Sequence, residues 1–159
     1  MCLKIGHATG KVMNELGWNT AVIGKDTRIS GYMLESALQA GFIAAGINVR
    51  LLGPIPTPGV AYLTKTLRKQ FGVVISASHN DFLDNGIKIF NEDGEKISRD
   101  IEKRIEKYLN IELSPVETSK IGKAYRFDES GPRYIEFCKS TVPSDISFSS
   151  LRIVIDCAN

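Results

Sequence analysis

The chain has 159 residues, enough for one complete core with a piece of a second, and its 43% apolar and 24% charged residues are ordinary for a globular domain. A net charge of +2, evenly spread, gives no basis for binding nucleic acid or an anionic membrane surface. No apolar run approaches the roughly 18 residues of a membrane span, and the N-terminal MCLKIGHATGKVMNELGW is amphipathic, unlike a secretion signal. Cys2, Cys138 and Cys157 are odd in number and far apart, which fits neither a disulfide framework nor a zinc site. A reducing, cytoplasmic setting is the expectation.

Leu3, Ala8, Val12, Met13 and Leu16 share a face if residues 2–16 are helical, with Gly17 as the stop. NTAVIGK then reads as a short buried strand closed by the polar loop Lys25 to Gly31. Residues 32–46 place Leu34, Ala37, Leu38, Gly41 and Ala45 at helical spacing, with side chains small enough for close packing. NVRLLG is a second strand. After it, Thr57 is expected to cap a helix with Pro58 at its first position, running to about Gln70. FGVVIS is a third strand. This β-α-β-α-β order predicts a three-layer α/β fold, a mostly parallel sheet with helices on both faces.

Beyond the third strand, GIKIF and EKI flank NEDG and predict a β-hairpin. Ser98 is placed to cap a helix that turns Ile101, Ile105, Tyr108 and Leu109 inward. Residues 110–127 read as a linker, 131–140 as a helix, and LRIVIDCAN as a strand that opens a second, truncated α/β domain.

Ligands of open α/β sheets sit at the carboxyl ends of the strands. Three loops leave such ends: Lys25 to Gly31, Pro54 to Pro58, and Ser76 to Asn85. The third, Ser-Ala-Ser-His-Asn, offers Ser78 as a nucleophile and His79 as a proton carrier, although a capped loop would use the same residues. A phosphate on Ser78 would bring close to two negative charges. Lys25, Arg28 and Lys88 are the cations in reach, whereas Asp81 and Asp84 form no obvious chelating pair. Lys88 could equally be the solvent side of a strand, and Arg28 could simply tie its loop through Asp26. His7 receives no role.

GKDTRISGYMLESAL, GPIPTPGVAYLT, GVVISASHN, DNGIKIF and GPRYIEFCKS, in this order, resemble the α-D-phosphohexomutase superfamily over essentially the whole chain. The Ser-Ala-Ser-His-Asn form, with GKDTRISG, is most similar to the branch acting on glucosamine phosphates; other branches more often carry threonine at the place of Ser76. The resemblance implies interconversion of glucosamine 6-phosphate and glucosamine 1-phosphate on the cytoplasmic route to cell-wall precursors. Ser78 would carry the phosphoryl group through a bisphosphate intermediate, with Mg²⁺ on one phosphate oxygen. His79 and Lys88 match positions with proton-transfer or electrostatic roles, Asn80 orients the loop and Arg28 supports it.

Two departures stand out. Asp81 replaces the proline usual after Ser-His-Asn, which is expected to loosen the loop. The family's opening arginine segment, metal loop and sugar-reading loops do not occur in these residues. The expectation is therefore domain 1 over 1–123, incomplete at its start, with the helix and first strand of domain 2 over 124–159. Such a piece should be inactive alone, and either dimerises or self-associates through Val154, Ile155 or an uncovered sheet edge. The alternatives are a phosphomannose or phosphoglucose mutase, or a non-catalytic regulatory module phosphorylated on Ser78.

Overall fold

The computed structural model describes residues 1–68 and 70–156. Five helices, α1 (Cys2–Glu15), α2 (Ser30–Ala44), α3 (Thr57–Leu67), α4 (Arg99–Leu109) and α5 (Ser130–Ser140), surround five strands. These are β1 (Thr20–Lys25), β2 (Asn48–Pro54), β3 (Phe71–Ile75), β4 (Ile87–Phe90) and β5 (Ala124–Arg126), in the spatial order β4-β3-β1-β2-β5. Among the described strands β1/β2, β1/β3 and β2/β5 are parallel pairs and β3/β4 is antiparallel.

Strand alternation divides the core in two. Ala21, Ile23, Phe71, Val73 and Ile75 face α1, α2 and α4, where Val12, Leu38, Phe42 and Ile105 meet them. Val22 and Val74 face the other way, against Val60 and Leu63 of α3, with Tyr134 of α5 packed alongside. A fully buried side chain of this kind stabilises by roughly 1.5–3 kcal/mol relative to exposure, so the two layers hold the sheet from both sides. Helices α1 and α2 cross at glycine: a Cβ on Gly41 would stand 2.3 Å from the Leu3 carbonyl oxygen. That closeness lets the Phe42 ring reach Phe71 edge-on, at 5.4 Å between centroids.

Several local expectations are corrected. Thr57 is not a cap; Pro56 is the N-cap and Thr57 the first helical residue, with no side-chain capping bond. Helix α3 stops at Leu67 because Arg68 turns to φ 49°, and the Gln70 carboxamide donates 2.8 Å to the Leu67 carbonyl. The Ser98 cap is formed, its Oγ accepting from the Ile101 amide, with Asp100 and Glu102 in the first turn and Lys107 in the last complementing the helix dipole. The hairpin after the serine loop is reduced to β4 and a single bridge, Phe90 to Lys96, because Asn91 Oδ1 accepts the Asp93 and Glu95 amides and wraps the chain into a tight turn.

Residues 110–127, read as a linker, are tied down. The Val116 amide donates to the Ala44 carbonyl, and Ala124–Arg126 adds the edge strand β5 to the sheet. Ser130, opening α5, donates 2.7 Å to the Leu52 carbonyl. Residues 124–140 thus lie against the β2 edge of the sheet and against α3. The strand expected over 151–159 is not formed at 151–156, which belong to none of the five strands of the sheet, and a strand outside a sheet has no ladder to complete. Residues 157–159, with Cys157, lie outside the described residues. No helix among the described residues is long and apolar enough to cross a membrane.

Candidate functional site

The carboxyl ends of β1, β2 and β3 open onto one cleft of ≈ 580 Å³. Its wall is made by Lys25, Asp26 and Thr27 after β1, residues 54–58 after β2, Ser76, Ser78 and His79 after β3, and Lys88 from β4. Gly24 makes this convergence possible: a Cβ there would stand 2.5 Å from Val60 and 2.7 Å from Ile55. With hydrogen in that place the β2 loop settles onto the end of β1, and the Ile55 amide donates 3.0 Å to the Lys25 carbonyl.

Ser78 is exposed and adopts φ 60°, a left-handed conformation that costs a non-glycine residue of order 1 kcal/mol or more. Two contacts hold it there. The Ser78 amide donates 3.0 Å to Ser76 Oγ, and the Ser78 carbonyl accepts from Arg28 Nη2 at 3.2 Å. Its hydroxyl oxygen lies 3.4 Å from His79 Nδ1, a long approach between two exposed side chains.

Arg28 organises the loop. Nη1 donates to the Asp81 and Asp84 carbonyls at 2.6 and 2.7 Å, and Nη2 donates to the Asn80 carbonyl at 2.9 Å in addition to that of Ser78. Asp26 fixes the guanidinium in turn, accepting from Nε at 3.0 Å and from the Arg28 amide at 3.1 Å. This planar fork meets four carbonyls at once, a task suited to arginine. Asn80 adds a cross-link, Nδ2 donating 3.1 Å to Asp84 Oδ2, and Ser30 Oγ donates 2.6 Å to Asn85 Oδ1.

Asp81 does not leave the loop loose. Its Oδ1 accepts the Leu83 amide at 3.0 Å, an Asx turn that fixes the backbone where proline would otherwise do so. The two acidic side chains of the loop are therefore turned onto the loop itself. No group of three or more His, Cys, Asp or Glu able to hold a metal ion occurs among the described residues.

The three expected cations differ in their surroundings. Arg28 is spent on carbonyls. The Lys25 side chain is 4% exposed, and its ammonium is paired at 2.5 Å with Glu35 and lies 3.9 Å over the Tyr32 ring. Its charge is neutralised within the wall, a partnership with no signature in the sequence. Lys88 is exposed on the cleft, and among the described residues its ammonium makes no ion pair or hydrogen bond. His7 is buried away from the cleft, bonded through Nε2 to the Ser114 carbonyl at 2.9 Å. Missed from the sequence were Ser76 as the holder of the Ser78 amide, Ser30 as the anchor of Asn85, and Thr27 and Thr57 in the wall. Only Ser76 carried a signal, a hydroxyl two residues before the nucleophile candidate.

An exposed, left-handed serine on a cleft at the carboxyl ends of three parallel strands, with Lys88 open on its wall, defines an α/β protein with a ligand cleft at the strand ends. Residues 1–115 match the family described as phosphoglucomutase/phosphomannomutase, alpha/beta/alpha domain I, and the chain belongs to that family. It is 56% identical over 157 residues to a phosphoglucosamine mutase of Aeromonas salmonicida, covering 99% of this chain and 35% of the relative. A phosphoglucosamine mutase of Alcanivorax borkumensis is 57% identical over 157 residues, with the same coverage of 99% and 35%. The chain thus spans about a third of the length of these curated relatives. A solved structure from Thermus thermophilus, carrying a provisional phosphomannomutase assignment, superposes with TM-score 0.76 at 26% identity, over 89% of this chain and 32% of that one. A phosphoglucomutase/phosphomannomutase family protein from Burkholderia thailandensis shares the fold, with TM-score 0.71 at 24% identity over 85% and 30% of the two chains.

Proposed function

We propose that this chain is the phosphoserine-bearing part of a phosphoglucosamine mutase, which interconverts glucosamine 6-phosphate and glucosamine 1-phosphate through a bisphosphate intermediate. The observation that carries the reading is the exposed Ser78 hydroxyl, held on the cleft at a left-handed φ of 60°. The phosphoglucosamine mutase relatives support the sugar.

In this reading Ser78 Oγ gives its phosphoryl group to a sugar hydroxyl and recovers one from the other end of the reoriented bisphosphate. Phosphoryl transfer asks chiefly for positioning and charge neutralisation. Arg28 and Asn80 supply positioning by fixing the loop backbone, and Lys88 supplies the open positive charge. His79 Nδ1, 3.4 Å from Ser78 Oγ, is the group able to take the hydroxyl proton when the serine is phosphorylated again. Lys25 supports the wall through Glu35. Mg²⁺, implied by the family, would meet one donor here, a phosphate oxygen on Ser78, with the remaining ligands from outside this chain. Residues 1–123 act as the first domain, 124–159 lead into the second, and the 159 residues alone give no turnover. The reaction is cytoplasmic and feeds amino-sugar precursors of the cell wall.

The test is phosphate mapping and turnover in the complete parent protein. Phosphate on Ser78, loss of turnover in Ser78→Ala, and preference for glucosamine phosphates over mannose and glucose phosphates are expected. Preference for either neutral sugar would transfer the assignment to that mutase. Full turnover by Ser78→Ala would remove the phosphoserine reading.

A further inference from the structure

Ser76 is 7% exposed, yet it lines the cleft beside Ser78. Its hydroxyl oxygen accepts the Ser78 amide at 3.0 Å, and its own amide donates 2.9 Å to the Gly86 carbonyl. The serine hydroxyl has one proton to donate, and among the described residues no group accepts it. A donor left over at the wall of a cleft is placed to meet an acceptor on a ligand. The Ser78 amide and hydroxyl are separated by only three covalent bonds. An oxygen 3.0 Å from that amide therefore lies close to where the oxygens of a phosphoryl group bonded to Ser78 Oγ would stand.

We infer that Ser76 is a positioning residue with two simultaneous tasks: its oxygen holds the Ser78 amide, and its hydroxyl proton is donated to an oxygen of the phosphate on Ser78. This rests on the reading of Ser78 as a phosphate carrier and names the neutral contact that holds the group in place. Ser76 thereby ties the left-handed backbone at Ser78 to the orientation of its phosphate. Threonine in its place would retain both tasks, and alanine would lose both.

The experiment uses this chain with phosphoserine encoded at position 78, and follows the second ionisation of the phosphate by phosphorus NMR. A donated hydrogen bond favours the dianion, so Ser76→Ala is expected to raise the ionisation midpoint, by roughly half a unit to one unit. Ser76→Thr is expected to restore the parent midpoint, and core amide spectra of both variants to match the parent. An unchanged midpoint in Ser76→Ala would overturn the inference. So would equal midpoints in Ser76→Ala and Ser76→Thr, which would make the effect one of packing. Should Ser76→Ala fail to fold, Ser76→Cys, with its weaker donor and similar size, is expected to give an intermediate midpoint, and a parent-like midpoint there would overturn it. In the complete protein, absence of phosphate on native Ser78 would remove the carrier reading itself, whereas the encoded phosphoserine titration reads only the Ser76 contact.

Discussion

Replacing Arg28 tests whether the serine loop is held by one planar fork. The guanidinium donates to the carbonyls of Ser78, Asn80, Asp81 and Asp84 and pairs with Asp26. A charged donor on a buried acceptor is worth about 1.5–3 kcal/mol, but these carbonyls lie in an exposed loop and would be rehydrated on release. Roughly 0.5–1 kcal/mol per bond is the reasonable share, about 2–4 kcal/mol for the four. Arg28→Ala should therefore reduce hydrogen-exchange protection of the Asn80 and Asp84 amides, which donate to Ala77 and Asp81 within the loop, by roughly 30- to 1000-fold. The amides of β1 and β3, outside the loop, should keep theirs. Arg28→Lys should recover less than half of the loss in free energy, since a single ammonium cannot reach four carbonyls in a plane. Loop protection unchanged in Arg28→Ala, or fully restored by lysine, would refute this account.

Glu35→Gln leaves the Lys25 ammonium, 4% exposed, without a counter-charge, and should cost about 3–5 kcal/mol in urea unfolding; a change under about 0.5 kcal/mol would mean the pair contributes nothing. Gly41→Ala drives a Cβ to within 2.3 Å of the Leu3 carbonyl and should destabilise by about 1–3 kcal/mol, whereas Gly131→Ala, with open space around it, should not. The Tyr108 hydroxyl, and after it the Arg104 guanidinium, hold the Glu15 carboxyl below its ordinary value. With a depressed folded-state value, this contribution is present above about pH 4.3 and is lost on further acidification. Thermal melts of Glu15→Gln should accordingly show a shallower acid dependence than those of the parent, and parallel curves would argue against the contact. Ile153, Val154 and Ile155 are 71, 96 and 76% exposed, so the chain should self-associate; a monodisperse monomer in light scattering across a concentration series would contradict that.

The sequence by itself determined the alternation of elements, because each of the first three strands and first three helices carries its own period. Gly17 ends the first helical pattern, and Val22 and Val74 sit one position out of phase with the residues of the opposite layer. It also singled out Ser78, since hydroxyls, an imidazole and an amide at a strand end form a local pattern. What it could not determine depends on partners far along the chain. Ala124–Arg126 is three exposed residues with no pattern to detect, and becomes a strand only because β2 offers it an edge. The residues after Leu151 have strand composition but no such edge among the described residues. Lys25 reads from the sequence as a cation for the phosphate, and only the packing of α2 against β1 brings Glu35 to its ammonium. Arg28 reads as a support, and only the tertiary structure turns its fork onto four carbonyls that lie 50 or more residues away in the chain. Periodicity and turn chemistry are local properties and can be read from a segment, whereas charge pairing and edge pairing are decided by which segments the fold brings together.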